Sequence, residues 1–342
     1  MRIDLETGDK NMKARVLFGV FGFIFVLLAL YVFPPIILEA VVAALCVFAT
    51  YEVLGSTKLV HNRLELLLAM LVSLGHFTVL PLDLGDVMQG LVFVMLIGSF
   101  AIELKFHDSM KVSQVAWAFF GALLVPYLLL SLLRIFQMNY HHGPFIVLLP
   151  LLAAWGADTC ALFAGMFFGR HKLAPVVSPK KTVEGAVGGV VGGAVLVLIA
   201  AVIMNRTLDL EMPLWSAVVL GAVGAVLGEI GDLSFSVIKR QTGIKDYGHI
   251  FPGHGGVLDR FDSVIFVAPF AEILFRIVFW GTSKVPYIRK TVPEKPPFDT
   301  RMTPRAVRPR SRTRIAPKAT ESGCKKSGTR PDFLRKCKAF AN

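Results

Sequence analysis

The chain has 342 residues, 54% of them hydrophobic, with a mean hydropathy of +0.63 and a formal charge of +12. That apolarity excludes a soluble globular domain and reads as a polytopic membrane protein. The charge makes no case for a nucleic-acid partner, because residues 283–342 hold 17 Lys and Arg against 4 Asp and Glu and so carry more than the whole excess.

Lipid satisfies no backbone polar group, so spanning segments must be helices or closed barrels. Barrel alternation is absent, while apolar runs near the roughly 20 residues of a helical crossing recur. They predict an all-α, polytopic integral membrane protein of about nine transmembrane helices, at 14–33, 36–55, 64–81, 88–103, 115–136, 144–168, 184–204, 213–235 and 261–280. The first run follows Arg2, Lys10, Lys13 and Arg15, but Asp4, Glu6 and Asp9 dilute that charge, so it reads as a retained helix rather than a cleaved leader. Residues 1–140 are then N-terminal transmembrane helices, 141–283 a catalytic transmembrane region, and 284–342 a basic, disordered tail suited at most to anionic lipid.

Loop charge sets orientation. Lys58 with Arg63, Lys105 with Lys111, Arg170 to Lys181 and Lys239 to Lys245 fall on one side, and Asp83 with Asp86, Tyr140 to Gly143 and Asn205 to Met212 on the other. The positive-inside rule makes the first set cytoplasmic. Nine crossings from a cytoplasmic N-terminus leave the basic tail outside. Either the last segment, interrupted by Pro269, Glu272 and Arg276, stops short, or the tail is carried across behind the earlier helices, or it is foreign to the native reading frame. Cys46, Cys160, Cys324 and Cys337 show no CxxC pairing and imply neither a disulfide framework nor a zinc site.

Chemistry begins at Asp158, in a span, followed by Gly165, Gly169 and a basic loop with Arg170, Lys172, Ser178, Lys180 and Lys181, a stretch that can hold polyphosphate or merely mark the cytoplasmic side. Glycines 185, 189 and 193, then 221, 224, 228 and 231, recur at helical spacing and predict close helix packing, with Gly231 free to leave room for a ligand. Asp232, Ser236 and Lys239 share one helical face: either a salt-bridged helix end or an acid for a cation beside a base for a phosphate. In the loop that follows, Arg240, Lys245 and Asp246 lead to HIFPGHGG, which Pro252 and its glycines keep from being helical, so that backbone N–H groups of Gly255 and Gly256 can face an anion and His254 can donate to a phosphate oxygen or leaving group. Asp259, Arg260 and Asp262 open the last span, and their hard oxygens suit Mg²⁺ or an Asp–Arg tie between helices.

Taken together, Ser236, Lys239-Arg240, Lys245-Asp246, Gly248, Pro252, His254-Gly255-Gly256, Asp259-Arg260 and Asp262 resemble the pattern of the phosphatidate cytidylyltransferase family, and Asp158 to Gly185 resembles its second block. The likeness spans about residues 140–283. It implies a Mg²⁺-dependent, nine-helix enzyme of the bacterial inner membrane with its site facing the cytoplasm, taking CTP and phosphatidate to CDP-diacylglycerol and pyrophosphate. It further implies Asp232 and Asp259 as metal ligands with Asp246 and Asp262 next, and a second cation such as K⁺. Catalysis would fall to Asp232, Asp259, Lys239, Arg260 and His254, and substrate binding to Ser178, Lys180, Lys181, Ser236, Arg240, Lys245, Gly255 and Gly256. Cys160, Leu162 and Met166 depart from the pattern at positions that bear on substrate recognition. The bilayer is the standing partner, and the glycine-lined faces permit a homodimer. A CTP-dependent polyprenol kinase and a non-enzymatic anion transporter are the rival readings; product identity separates the first, and the clustering of acids at one membrane face argues against the second.

Overall fold

The computed structural model describes residues 22, 24–79, 84–138, 142–208, 210–248, 250 and 255–280. The tail at 284–342 and His254 lie outside the described residues. In chain order the elements are α1 (24–31), α2 (Pro35–Ser56), α3 (Arg63–Gly75), α4 (Leu84–Lys105), α5 (Val112–Met138), α6 (Gly143–Phe168), β1 (Lys172–Ala174), β2 (Ser178–Thr182), α7 (Val183–Leu208), α8 (Leu214–Gln241), α9 (Leu258–Phe261) and α10 (Val264–Trp280).

A helix stands at each predicted span, and the chain is a helical integral membrane protein. Among the described residues, α2 and α4 to α8 are long and apolar enough to cross a bilayer. Among the described residues α3 has 13 residues and continues into a 3₁₀ turn at His76–Val79, and α10 has 17, at the lower end of what a crossing requires. The predicted basic loop between α6 and α7 is instead an antiparallel hairpin, Lys172 opposite Thr182 and Ala174 opposite Ser178. Pro175 and Pro179 bar a helix there, and Val176 and Val177 supply the turn between strands.

Local chemistry sets several helix ends and irregularities. Asn62 caps α3, its side-chain oxygen accepting the N–H of Leu64 at 2.9 Å, and Pro35 opens α2, where no N–H is needed. Three helices each contain one π turn, at Glu52–Ser56, Phe120–Leu124 and Leu152–Gly156, a wide turn often found at functional sites. Two of them meet at Gly121, whose missing side chain admits Leu54, and whose carbonyl accepts the Thr50 hydroxyl at 2.9 Å.

Packing of α6, α7 and α8 rests on small residues, as lipid offers no hydrophobic drive for helix association. A side chain at Gly189 would meet Ala161, one at Gly192 would meet Cys160, and one at Gly221 would strike the backbone of Gly193 and Ala194. The glycine rows are thus occupied within the chain. Inside the bundle Arg134 is paired: its Nε donates to Glu272 at 2.8 Å, and one of its terminal nitrogens donates to both the Tyr127 carbonyl and the Ser131 hydroxyl. Glu272 and Arg276, interruptions in the last apolar run, are accounted for by this network and by their own 2.8 Å contact.

Candidate active site

The C-terminal half of α8 organises the site. Gly231 lets α10 approach so closely that a side chain there would strike the Asp262 carbonyl and the Phe266 ring. Rather than leaving a ligand gap, Gly231 brings Asp262 to hydrogen-bonding reach of Asp232. Ser236, one turn on, donates to Asp232 at 3.3 Å. From α6, Asp158 accepts the Ser263 hydroxyl at 3.4 Å, while the Ser263 N–H donates to Asp262 at 2.9 Å. Into this group β2 inserts Lys181, whose ammonium lies 2.5 Å from Asp232 and 2.8 Å from Glu229. Two acids of α8 therefore hold the ammonium, and Asp158 and Asp262 lie beside them. Burial works against that charge, but Asp232 and Glu229 more than offset it and raise the Lys181 pKa above the ordinary lysine value.

A second cluster lies one turn further along α8. Lys239 is buried, its ammonium 2.8 Å from Asp259 and 5.3 Å from the centre of the Tyr247 ring. The other Asp259 oxygen accepts the N–H of Tyr247 at 2.8 Å and of Gly256 at 2.9 Å. Tyr247 donates its hydroxyl to the Phe235 carbonyl at 2.9 Å, and burial, reinforced by Asp259, Asp262 and Glu52, pushes the phenol pKa up. Gly255 has φ +84°, a left-handed conformation that favours glycine. Glu52, from the π turn of α2, closes the cluster by accepting the N–H groups of Val257 and Leu258 at 2.9 and 2.7 Å. Gly248 and Gly256 lie against its carboxylate with no room for a side chain.

The expected residues thus divide into three groups. Asp232, Asp262, Ser236 and Lys181 come together in the first cluster, and Asp259, Lys239, Gly255 and Gly256 in the second. The third is the exposed Lys180, Arg240, Lys245, Asp246 and Arg260, with the half-buried Ser178. Arg240 Nε ties the end of α8 to the hairpin through the Val177 carbonyl at 3.2 Å, and Trp155 Nε1 donates to the Arg260 carbonyl at 3.0 Å. Glu52, Glu229 and Tyr247 are absent from the sequence-derived set. The two glutamates carried a readable signal, since each is an ionisable residue within an apolar helix.

Of the expected metal ligands, Asp246 is exposed on the loop, and both oxygens of Asp259 are engaged by Lys239, Tyr247 and Gly256. Among the described residues, no three His, Cys, Asp or Glu form a ready coordination group. The donors gathered around Lys181 are nonetheless all carboxyl oxygens, in excess over the charge that pairs them. That chemistry fits a hard cation such as Mg²⁺ and not a soft one.

The cytidylyltransferase family matches residues 13–278. A phosphatidate cytidylyltransferase from Haemophilus influenzae is 30% identical over 290 residues, covering 78% of this chain and 99% of that protein. One from Staphylococcus epidermidis is 32% identical over 273 residues, covering 77% and 98%. A third, from Staphylococcus aureus, is 41% identical over a shorter stretch of 139 residues, 41% of this chain and 52% of that protein.

Proposed function

The chain belongs to the cytidylyltransferase family, and from that premise we propose how its residues divide the work of cytidylyl transfer. The reaction takes CTP and phosphatidate to CDP-diacylglycerol and pyrophosphate, a step of phospholipid synthesis in the membrane. A phosphate oxygen of the lipid attacks the α-phosphorus of CTP. The bond from that phosphorus to the oxygen bridging the β-phosphate breaks, and pyrophosphate leaves with the electron pair. Because the attacking oxygen is already anionic, no strong general base is required, and catalysis rests on positioning and charge neutralisation.

The observation that supports this division is the mutual fixing of acids and bases along α8. Lys239, held by Asp259 and the Tyr247 ring, presents an ordered charge to a phosphate. The exposed Lys180, Arg240, Lys245 and Arg260 gather the polyphosphate, and Ser178 and Ser236 add hydroxyl contacts. The Gly255-Gly256 turn carries the backbone of the site, with His254 as donor to a leaving oxygen. Of the four expected ligands, Asp232 and Asp262 would hold Mg²⁺, while Asp259 of α9 is held by Lys239 and Asp246 stays exposed on the loop; a monovalent cation such as K⁺ would share the neighbouring acids Asp158 and Glu229. When bound, Mg²⁺ supplies charge neutralisation for the phosphates.

The site faces the cytoplasm of a bacterial inner membrane in this reading, because α8 ends among basic residues and the hairpin beside it is basic as well. A homodimer would need a face other than the glycine rows. The exposed stripe of Val187, Val191, Val195, Ile199 and Ile203 along α7 is the one we assign to it.

The test uses purified protein in detergent with phosphatidate, Mg²⁺ and CTP labelled at the α-phosphorus. Label enters the lipid with the parent chain and fails to do so with Asp232→Asn. Release of labelled CDP in place of labelled lipid would overturn the reading in favour of phosphate transfer.

A further inference from the structure

Between α5, α8 and α10 lies an apolar cavity of about 420 Å³, within the roughly 300–1,000 Å³ of ligand pockets. We propose that it holds one acyl chain of the phosphatidate acceptor, an inference that rests on the function proposed above.

Helix α8 ties the cavity to the polar site. Asp232, Ser236 and Lys239 line the acidic and basic clusters, while Phe235 and Ile238, their neighbours in sequence, line the cavity. The Phe235 ring meets Phe266 edge-on at 6.5 Å on one side and Tyr247 at 6.2 Å on another. A single aromatic layer thus separates the apolar space from the residues that fix Lys239 and Asp259. Phe266 also covers Gly231, next to Asp232. An amphiphile with its phosphate at the clusters would have its glycerol and chains at this layer.

The shape of the cavity suits a chain. Along α5 its lining runs from Ala116 to Leu128, a rise of about 18 Å at 1.5 Å per residue, comparable with one leaflet of a hydrocarbon core roughly 30 Å thick. The wide π turn Phe120–Leu124 forms the middle of that wall. The cavity's polar side-chain groups are the Ser234 hydroxyl, which donates within its own helix to the Ile230 carbonyl at 2.7 Å, and the indole N–H of Trp117, so the space is almost wholly apolar and suits hydrocarbon better than water. The surrounding lipid is as apolar as the cavity, so threading a chain into it adds little hydrophobic free energy. Its contribution is registration: a chain held along α5 fixes where the phosphate sits.

Filling the deep end discriminates between chain lengths. Leu128→Trp is assayed with dipalmitoyl and dioctanoyl phosphatidate in the same detergent, with Leu128→Phe as a smaller change and Leu128→Ala as the opposite one. The expected result is a fall in kcat/KM for the dipalmitoyl lipid at least about tenfold greater than for the dioctanoyl lipid, the scale on which apolar pockets discriminate methylenes, with Leu128→Ala shifting the ratio the other way. Equal losses on both lipids, or no loss on either, would overturn the acyl-chain assignment. A parent chain that labels neither phosphatidate would instead overturn the cytidylyl reading beneath it.

Discussion

Glu52 and Leu258, 206 positions apart, are joined by a 2.7 Å hydrogen bond from the Leu258 N–H to the Glu52 carboxylate. The partner oxygen takes the Val257 N–H, so one residue of α2 seats the short helix that carries Asp259. Glu52→Ala leaves two buried N–H groups without an acceptor, at roughly 1–3 kcal/mol each. Displacement of Asp259 should lower kcat by about 10²-fold, the scale of a misplaced catalytic group. Glu52→Gln keeps one acceptor and should fall between Ala and parent. Label transfer to lipid and thermal melting in detergent, run on the three proteins together, check this order.

Among the described residues, Lys181 is the cation in ion-pair contact with Glu229 and Asp232, with Lys239 acting on Asp232 from further off. Lys181→Met leaves both acids without that contact, a loss on the order of 3 kcal/mol for a largely buried pair. Thermal midpoints should drop, and added Mg²⁺ should recover part of the difference in the variant. A midpoint unchanged by the substitution would mean that the ion pair contributes nothing.

Tyr247 gives the stability profile an alkaline limb. Its folded pKa is raised, so above the ordinary tyrosine value of about 10 the folded state holds a proton that the unfolded state has released. The stabilisation is full below that pH and is lost as pH rises through the folded value. Melting curves across the alkaline range should show the decline in the parent and a shallower one in Tyr247→Phe. That variant also forfeits the bond to the Phe235 carbonyl, about 1 kcal/mol at neutral pH.

Two glycines near the site should respond differently to alanine. Gly243 has φ +74° with open space around a side chain, so Gly243→Ala carries backbone strain of about 1 kcal/mol and little else. Gly256 sits against the Glu52 carboxylate, and Gly256→Ala should force the clamp apart and lose most activity. Turnover per unit of monodisperse protein separates the two.

Much of this arrangement was legible in the sequence, but as faces and not as partners. The spacing of Asp232, Ser236 and Lys239 placed them on one stripe of α8, and one of its two readings closed the acid on the base. In the fold each is claimed from elsewhere, Asp232 by Lys181 of the hairpin and Lys239 by Asp259. Helical periodicity specifies direction around an axis and carries no information about what another segment brings there. The same limit hid Glu52, whose position in an apolar run marked it as costly without naming the loop it would cap. The glycines announced close packing, and only the fold shows that Gly193 and Gly221 use it on each other. The spans were legible as apolar runs. What interrupts them was less so: Glu272 and Arg276 read as breaks in the last run, and only the fold shows Arg134 of α5 pairing with Glu272 inside it.

The π turns bear on how the length of this chain can vary. A residue lost from Phe120–Leu124 can be absorbed by reversion of the wide turn to ordinary α-helix, leaving Trp117 before it and Leu128 after it in place. The same deletion elsewhere in α5 would swing everything beyond it by about 100° around the axis. Single-residue gaps between this chain and its relatives should therefore collect at the three wide turns, and a relative gapped at Glu52–Ser56 would need another way to hold the segment that follows Gly256.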